Sequence, residues 1–150
     1  MKLVIQRVTH ASVTVEGEKI ASIGKGFLVL VGMGQGDNEH VVDCFAHKML
    51  GLRIFEDENG KTNKSLADVD GELLLVSQFT LYASCRKGFR PGFTDALEPK
   101  EANRLFEYLA DKCAQQVKNV QTGRFGADMK VELLNDGPFT IILDKDQVPV

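Results

Sequence analysis

The chain has 150 residues, of which 43% are hydrophobic, and its formal net charge is −3. This length predicts one domain over residues 1–150 that can bury its own core. No apolar run approaches the roughly 18 residues of a membrane span, and no signal-peptide core follows the first residues, so a cytoplasmic location without membrane contact is expected. The negative net charge gives no reason to expect tight nonspecific binding of nucleic acid, and any RNA binding must come from a local basic patch.

The first elements are predicted to be strands. Alternating apolar residues predict a strand over residues 2–8 and a hairpin that joins residues 12–16 to residues 19–23 around Gly17. The continuous apolar run at residues 27–31 predicts a strand that is buried on both faces.

A helix is predicted next. Asp37 or Asn38 can cap its first turn, apolar residues then recur at helical spacing, and Gly51 ends it. Residues 52–55 predict a short strand, and the polar residues 61–71 predict a loop.

The middle of the chain combines a strand, a loop and a second helix. Residues 73–76 predict a buried strand that continues through residues 77–81, and residues 84–94, rich in Gly, Pro and Arg, predict a loop. Glu98 and Pro99 begin the longest helix, because proline suits the first helical turn. Its predicted apolar stripe comprises Leu105, Phe106, Leu109, Cys113 and Val117.

The C-terminal third is again predicted to be β-structure. Strands are expected over residues 120–125, 129–134 and 139–143, with a break at residues 135–138. About eight strands and two main helices, with hairpins at both ends of the chain, predict a single α/β domain with largely antiparallel sheets.

Ser77, Gln78, Phe79 and Thr80 form the first segment that can carry chemistry. They stand where a buried strand opens into a loop, a common position for functional residues. Their side chains and the backbone N–H groups of Phe79 and Thr80 are suitable donors for an oxyanion hole. A polar strand end with local turn bonds is the alternative interpretation.

The second segment is Asn135-Asp136-Gly137-Pro138. A peptide bond before proline is the one kind for which the cis form costs little. A cis Gly137–Pro138 bond could point two successive carbonyls in one direction, and such a pair could accept hydrogen bonds from an ammonium group. An ordinary turn is the alternative.

The third segment is basic. Arg86, Lys87 and Arg90 lie within five residues, aromatic residues are interleaved around them, and no acidic residue occurs from Ser77 through Thr94. Cations combined with aromatic rings suit the single-stranded end of an RNA. A solvated basic loop is the alternative.

Other chemistry finds little support. The three cysteines and three histidines show neither a disulfide framework nor metal-ligand spacing, and Gly32, Gly34 and Gly36 do not have the spacing of a nucleotide-binding loop. We therefore expect no metal and no cofactor. Cys85 stands beside two cations that favour thiolate reactivity, but no histidine is near it in sequence.

Taken together, these segments resemble the D-aminoacyl-tRNA deacylase family. The similarity extends from Met1 to at least Asp144, and Phe139 stands where the family pattern leads us to expect valine. The matching segments are residues 1–8, 11–13, 77–81, 86–88, 90–91 and 135–140.

The resemblance implies a three-layer β/β/α fold and a homodimer. Gly137 and Pro138 of one subunit would enter the partner's site beside residues 77–80, Arg7 would hold the Gly-Pro loop, and Met129 would line the pocket. Arg86, Lys87 and Arg90 would contact tRNA.

The activity implied is hydrolysis of the ester between a D-amino acid and tRNA. Ser77, Gln78, Phe79 and Thr80 would be the catalytic segment, with Thr80 as a positioning residue. L-Aminoacyl esters would be rejected, and glycyl-tRNA, which has no side chain to reject, would be a further substrate. Two alternatives stay open: a non-catalytic module that binds the tRNA 3′ end, and an ordinary esterase with Thr80 or Cys85 as nucleophile.

Overall fold

The computed structural model describes all 150 residues and contains eight strands, two α-helices and one 3₁₀ helix. The strands are β1 Lys2–Val15, β2 Glu18–Ile23, β3 Gly26–Gly32, β4 Phe55–Glu56, β5 Thr62–Lys64, β6 Glu72–Ser77, β7 Val120–Thr122 and β8 Lys130–Leu143. The α-helices are α1 Glu39–Gly51 and α2 Pro99–Ala114, and the 3₁₀ helix is Phe79–Tyr82. The predicted α/β class with two main helices is confirmed.

Six strands form one sheet in the order β2-β1-β3-β6-β7, with β8 on the other side of β1. All pairings of β1 are antiparallel, but β3 pairs with β6, and β6 with β7, in parallel. Four of the six strand pairings are antiparallel, which agrees with the predicted largely antiparallel sheets, and the two parallel pairings make the main sheet a mixed one. Parallel neighbours need long crossover connections, and these contain α1 and α2.

Strand β1 links two apolar cores. Its residues 2–8 pair with β3, whereas residues 11–15 pair with β2. Phe27 and Val29 of β3 belong to the larger core, which includes the buried faces of both helices, while Leu28 belongs to a second core with the distal half of β1 and with β2. Because alternate residues of a strand face opposite sides, β3 separates these two cores, and the molecule has a helical layer and two β-layers.

Several strand boundaries differ from the prediction. Residues 2–8 and 12–16 belong to one strand, and β8 runs through the predicted break at residues 135–138. Hydrogen bonding to a neighbour outweighs local sequence signals here, since β1 and β8 pair along most of their lengths, with two register shifts between Gln6 and His10. Residues 62–64, predicted to be a loop, form β5 because they pair with β4, which is itself shorter than the predicted strand 52–55.

The helices also show local differences. Asn38, not Asp37, caps α1 by accepting a hydrogen bond from Val41 N at 3.1 Å, while the buried Asp37 accepts from Gly34 N at 2.7 Å. Helix α2 ends at Ala114, so Val117 lies beyond it, although it still packs against the larger core. β7 ends at Thr122, before the predicted limit at residue 125.

The strand predicted to continue through residues 77–81 ends at Ser77 and turns into the 3₁₀ helix. Its neighbour β3 ends at Gly32, so the ladder has no further partner on that side. The backbone N–H of Gln78 makes the last contact, to Val31 O at 2.8 Å. The polar segment Ser77–Thr80 therefore leaves the sheet where β3 and β6 end.

Candidate active site

A pocket of about 630 Å³ opens where β3 and β6 end. Its walls come from these strand ends, the first turn of α2, residues 93–99 and residues 125–131, and they are mostly apolar. Ser77, Gln78, Phe79 and Met129 line it, whereas Thr80 does not. A concave apolar pocket with a few polar groups at one end is the usual form of a small-ligand site.

The Ser77–Thr80 segment presents polar groups at the mouth of this pocket. Gln78 Nε2 donates a hydrogen bond to Thr80 Oγ1 at 2.5 Å. Phe79 and Thr80 begin the 3₁₀ helix, and the first N–H groups of a helix have no partner within it. No basic side chain hydrogen-bonds to Thr80, so its hydroxyl is not paired with a general base in this structure.

The 3₁₀ helix packs closely against Lys2 and Gly34, and the sequence alone did not indicate these contacts. Lys2 Nζ donates to Leu81 O at 3.3 Å and lies 4.8 Å from the centroid of the Tyr82 ring. Gly34 permits the Tyr82 ring to approach, since a Cβ at this position would be 2.3 Å from the ring. Burial raises the pKa of Tyr82. These long-range contacts fix the backbone that presents Phe79 and Thr80.

Met129 also lines the pocket. A Cβ built on Gly123 would lie 2.5 Å from Met129 Sδ, so the absence of a side chain at Gly123 leaves room for the thioether. Met129 also packs against the second core. Its sulfur therefore occupies a defined place beside the cavity.

The basic loop begins beside the pocket. Phe93 lines the cavity and meets Phe79 edge to face, with ring centroids 5.0 Å apart. Paired backbone hydrogen bonds between Ser84 and Gly92, at 2.8 and 2.9 Å, close the loop between them.

The tip of this loop carries the predicted RNA-binding residues. Arg86, Lys87 and Arg90 are exposed, and no acidic side chain lies within ion-pair distance of any of them. Phe89 is fully exposed among them. Free cations and an open aromatic face are both available to a nucleic acid without loss of an internal contact.

The Gly137–Pro138 peptide bond is cis, and both residues are exposed. Arg7, which is only 7% exposed, lies beneath them. Its guanidinium donates to Asp136 O at 2.9 Å and Ile54 O at 2.7 Å, and it stacks over the Phe139 ring at 4.7 Å. Arg7 thus contacts residues on both sides of the Gly-Pro pair.

Within one chain, the Gly-Pro pair lies far from the pocket. The path from the pair to the pocket crosses the sheet. Gly137 on β8 lies near Arg7 on β1, and Arg7 pairs with Phe27 on β3. Phe27 pairs with Leu73 on β6, and Ser77 at the pocket lies four residues further along that strand. Three strand spacings and four residues of rise give a separation of about 19 Å. The structure therefore does not bring Gly137, Pro138 and Arg7 to the pocket of their own subunit.

The remaining reactive side chains are not arranged as a catalytic or metal site. Cys85 is exposed and has no hydrogen-bond partner, whereas burial raises the pKa of Cys113 to about 12. His40 Nε2 lies 3.8 Å from Cys44 Sγ on the surface of α1. No three His, Cys, Asp or Glu residues are grouped so that they could hold a metal ion. Neither helix has the length and apolar character needed to cross a membrane.

The fold and the pocket place the chain among small mixed-sheet proteins that have an apolar cavity beside a basic loop. Sequence comparison gives the family. A model described as D-Tyr-tRNA(Tyr) deacylase matches residues 4–144, and the chain belongs to this family.

Relatives match along almost the whole chain. A D-aminoacyl-tRNA deacylase of Clostridium novyi (strain NT) is 53% identical over 144 residues, which are 96% of this chain and 97% of the relative. The proteins of the same name from Thermosipho africanus (strain TCF52B) and Lactobacillus acidophilus are 50% and 54% identical; each match covers 99% of the relative, and 99% and 96% of this chain.

Solved structures are also similar, and two of them illustrate the range of identity. One, titled c-Myc DNA Unwinding Element Binding Protein, has a TM-score of 0.91 and 42% identity, and the match covers 96% of this chain and 98% of that chain. The other, titled as a probable eukaryotic D-amino acid tRNA deacylase, has a TM-score of 0.82 at 15% identity, over 95% and 97% of the two chains. The second similarity shows a shared fold.

Proposed function

We propose that this protein hydrolyses the ester bond of D-aminoacyl-tRNA and releases the D-amino acid and the tRNA. The observation that carries the proposal is the Ser77–Thr80 segment, which meets an apolar pocket on one side and a loop with three unpaired cations on the other. The pocket suits an amino-acid side chain, and the loop suits the phosphates of a tRNA 3′ end. The names of the relatives support the same substrate. The pool of charged tRNA makes the cytoplasm the proposed location.

The proposed chemistry needs no protein nucleophile. An aminoacyl ester is already activated, so the site has to exclude bulk water, orient the carbonyl and stabilise the oxyanion. The N–H groups of Phe79 and Thr80 are the proposed oxyanion donors. Thr80 Oγ1 accepts a hydrogen bond from Gln78, which leaves the hydroxyl hydrogen free to donate to the substrate. The ribose hydroxyl beside the ester can assist the attacking water.

A homodimer would complete the site. β8 pairs only with β1, so its other edge has free backbone groups, and Leu134 and Ile142 on it are 54% and 62% exposed. An open edge with apolar side chains is suited to pairing with another chain. A two-fold dimer through this region could carry the exposed Gly137–Pro138 pair into the partner's pocket, which the same pair cannot reach in its own subunit.

The Gly-Pro pair would then determine chirality. Two rigid carbonyls that hold the substrate ammonium leave space for a side chain on one side of the α-carbon only. An L-amino acid would have to place its side chain against these carbonyls, and a steric clash rejects it more strongly than a loose apolar pocket could. The selectivity would thus come from exclusion of the L form.

Glycyl-tRNA is expected to be hydrolysed well above its spontaneous rate. Glycine has an ammonium group to bind and no side chain to reject, so exclusion of the L form does not protect it. The measurement is single-turnover hydrolysis of glycyl-tRNA beside L-alanyl-tRNA, which adds one methyl group in the excluded direction. Loss of glycine at only the background rate would show that rejection of L is not the basis of selectivity.

Thr80→Ala is expected to lower kcat/KM for D-tyrosyl-tRNA by about tenfold, the effect of losing one hydrogen bond in the transition state. A nucleophile would instead cost on the order of a millionfold in kcat. Thr62→Ala, at an exposed position in β5, is the matched control and should behave as wild type. An inactive Thr80→Ala that still binds tRNA would identify Thr80 as the nucleophile of an esterase.

A module that binds the tRNA 3′ end without turnover is the second candidate. The observation that favours it is the fully exposed Phe89 among three unpaired cations. An exposed aromatic ring and free cations are sufficient to bind a single-stranded RNA end without any catalytic group. Equal affinity for charged and uncharged tRNA, with no hydrolysis of either stereoisomer, would establish it.

A further inference from the structure

The side chain of Asn135 closes the segment that carries Gly137 and Pro138. Its Oδ1 accepts a hydrogen bond from Phe139 N at 2.6 Å. Its Nδ2 donates to Gln6 Oε1 at 2.9 Å and to Thr140 Oγ1 at 3.0 Å. One carboxamide, two positions before the Gly-Pro pair, therefore connects to the two residues after the pair and to β1. Both amide hydrogens and the carbonyl oxygen are used.

Strand β1 holds this segment from both sides. Gln6 and Arg7 are consecutive, and successive residues of a strand point to opposite faces. Gln6 holds Asn135, while Arg7 holds the backbone of Asp136 and stacks on Phe139. The Gly-Pro pair itself is exposed and makes no side-chain hydrogen bond, so its position depends on these neighbours.

We propose that Asn135 is a second positioning residue for chiral selectivity beside Arg7, acting through Gln6 and Thr140. The inference rests on the proposed function, in which the Gly-Pro carbonyls reject L-aminoacyl esters. A steric clash rejects the L-aminoacyl ester only if the Gly-Pro carbonyls stay in place. If the segment could shift, the side chain of the L-amino acid would fit into the space that the carbonyls had left. Arg7 contacts the segment on one face of β1. Asn135, through Gln6, supplies the contact on the other face, and this second contact prevents the Gly-Pro segment from shifting away from β1.

The amide of Asn135 is the group that matters. An aspartate of the same size could still accept from Phe139 N but has no N–H to donate to Gln6 or Thr140. The Gln6 amide can turn and donate its Nε2 to the new carboxylate, which would restore the link to β1. Asn135→Asp is therefore made throughout in a Gln6→Met background, in which no donor replaces the lost link and the local turn stays in place.

The test is the ratio of D-tyrosyl-tRNA to L-tyrosyl-tRNA hydrolysis, measured with wild type, Asn135→Asp and Pro138→Ala. We expect Asn135→Asp to lower this ratio by about tenfold, mainly through faster cleavage of the L ester, the effect of losing one or two hydrogen bonds. KM for tRNA should not change, since Asn135 touches neither the basic loop nor the pocket. Asn59→Asp, the same change in an exposed turn, is the control for charge and should match wild type.

The outcomes separate this inference from the proposed function. If Pro138→Ala lowers the ratio and Asn135→Asp does not, the role of Asn135 is wrong and the Gly-Pro mechanism stands. If neither variant changes the ratio, the Gly-Pro mechanism itself fails.

A second pair of variants covers the case in which Asn135→Asp does not fold. The double variant Gln6→Met with Thr140→Val leaves Asn135 in place and removes both acceptors of its amide, so it should lower the ratio to the same extent. Gln6→Glu retains an acceptor of the same shape and should keep the ratio near that of wild type. A wild-type ratio in the double variant would contradict the proposal.

Discussion

Replacing Gly137 with alanine is expected to lower kcat/KM for D-aminoacyl-tRNA by about 100-fold, the effect of a displacement of roughly 1 Å at a catalytic site. Gly137 has a φ of 142°, a conformation that residues with a side chain rarely adopt. An added Cβ would also lie 3.0 Å from Phe139 N and 3.2 Å from an Arg7 guanidinium nitrogen. Neither neighbour can move away easily, because Phe139 N donates a hydrogen bond to Asn135 Oδ1 and the Arg7 side chain is buried. The Gly-Pro carbonyls must therefore move.

Gly60→Ala is the matched control for this effect. Gly60 also has a positive φ, of 73°, but a Cβ there meets no atom within 4 Å, and the residue lies in an exposed turn between β4 and β5. The control should lower the unfolding temperature and leave kcat/KM unchanged. Equal activity of the Gly137→Ala and Gly60→Ala variants would show that Gly137 is only a turn residue.

Arg7→Met is expected to reduce both stability and selectivity. The substitution leaves the carbonyls of Ile54 and Asp136 without their donor, which costs on the order of 2–5 kcal/mol of unfolding free energy for two bonds to a buried charge. It also frees the underside of the Gly-Pro segment. Hydrolysis of the D ester should fall and that of the L ester should rise, as measured by single-turnover kinetics beside urea unfolding.

Arg53→Met is the control, since Arg53 is an exposed arginine that donates to Asn63 O at 2.8 Å in the β4–β5 hairpin. It should alter stability by less than about 1 kcal/mol and leave selectivity intact. If Arg7→Met destabilised the protein but kept the wild-type D-to-L ratio, Arg7 would have a purely structural role.

The strongly patterned elements could be predicted from the sequence. The apolar run at residues 27–31 and the helix after Asn38 depend on local periodicity and capping, and both occur as expected. The hairpin between β1 and β2 does as well. The parallel pairing of β3 with β6 and the existence of β5 depend on which strands become neighbours, and local periodicity does not specify this.

Prediction of the candidate site had the same limit. The Ser77–Thr80 segment was identifiable because polar residues follow a buried strand, and three of its four residues line the pocket. The contacts of Lys2, Gly34 and Asn135 were not identifiable, since each acts through a partner at least 48 residues away or through side-chain geometry that composition does not encode. The separation between the Gly-Pro pair and its own pocket follows only from strand register.

The most direct test of the proposed function is hydrolysis of D-tyrosyl-tRNA beside L-tyrosyl-tRNA by the wild-type protein. The proposal predicts rapid loss of the D ester, with the L ester lost at its spontaneous rate. Comparable cleavage of both esters would contradict a chiral site, and cleavage of neither would leave a protein that binds the tRNA 3′ end without hydrolysing it.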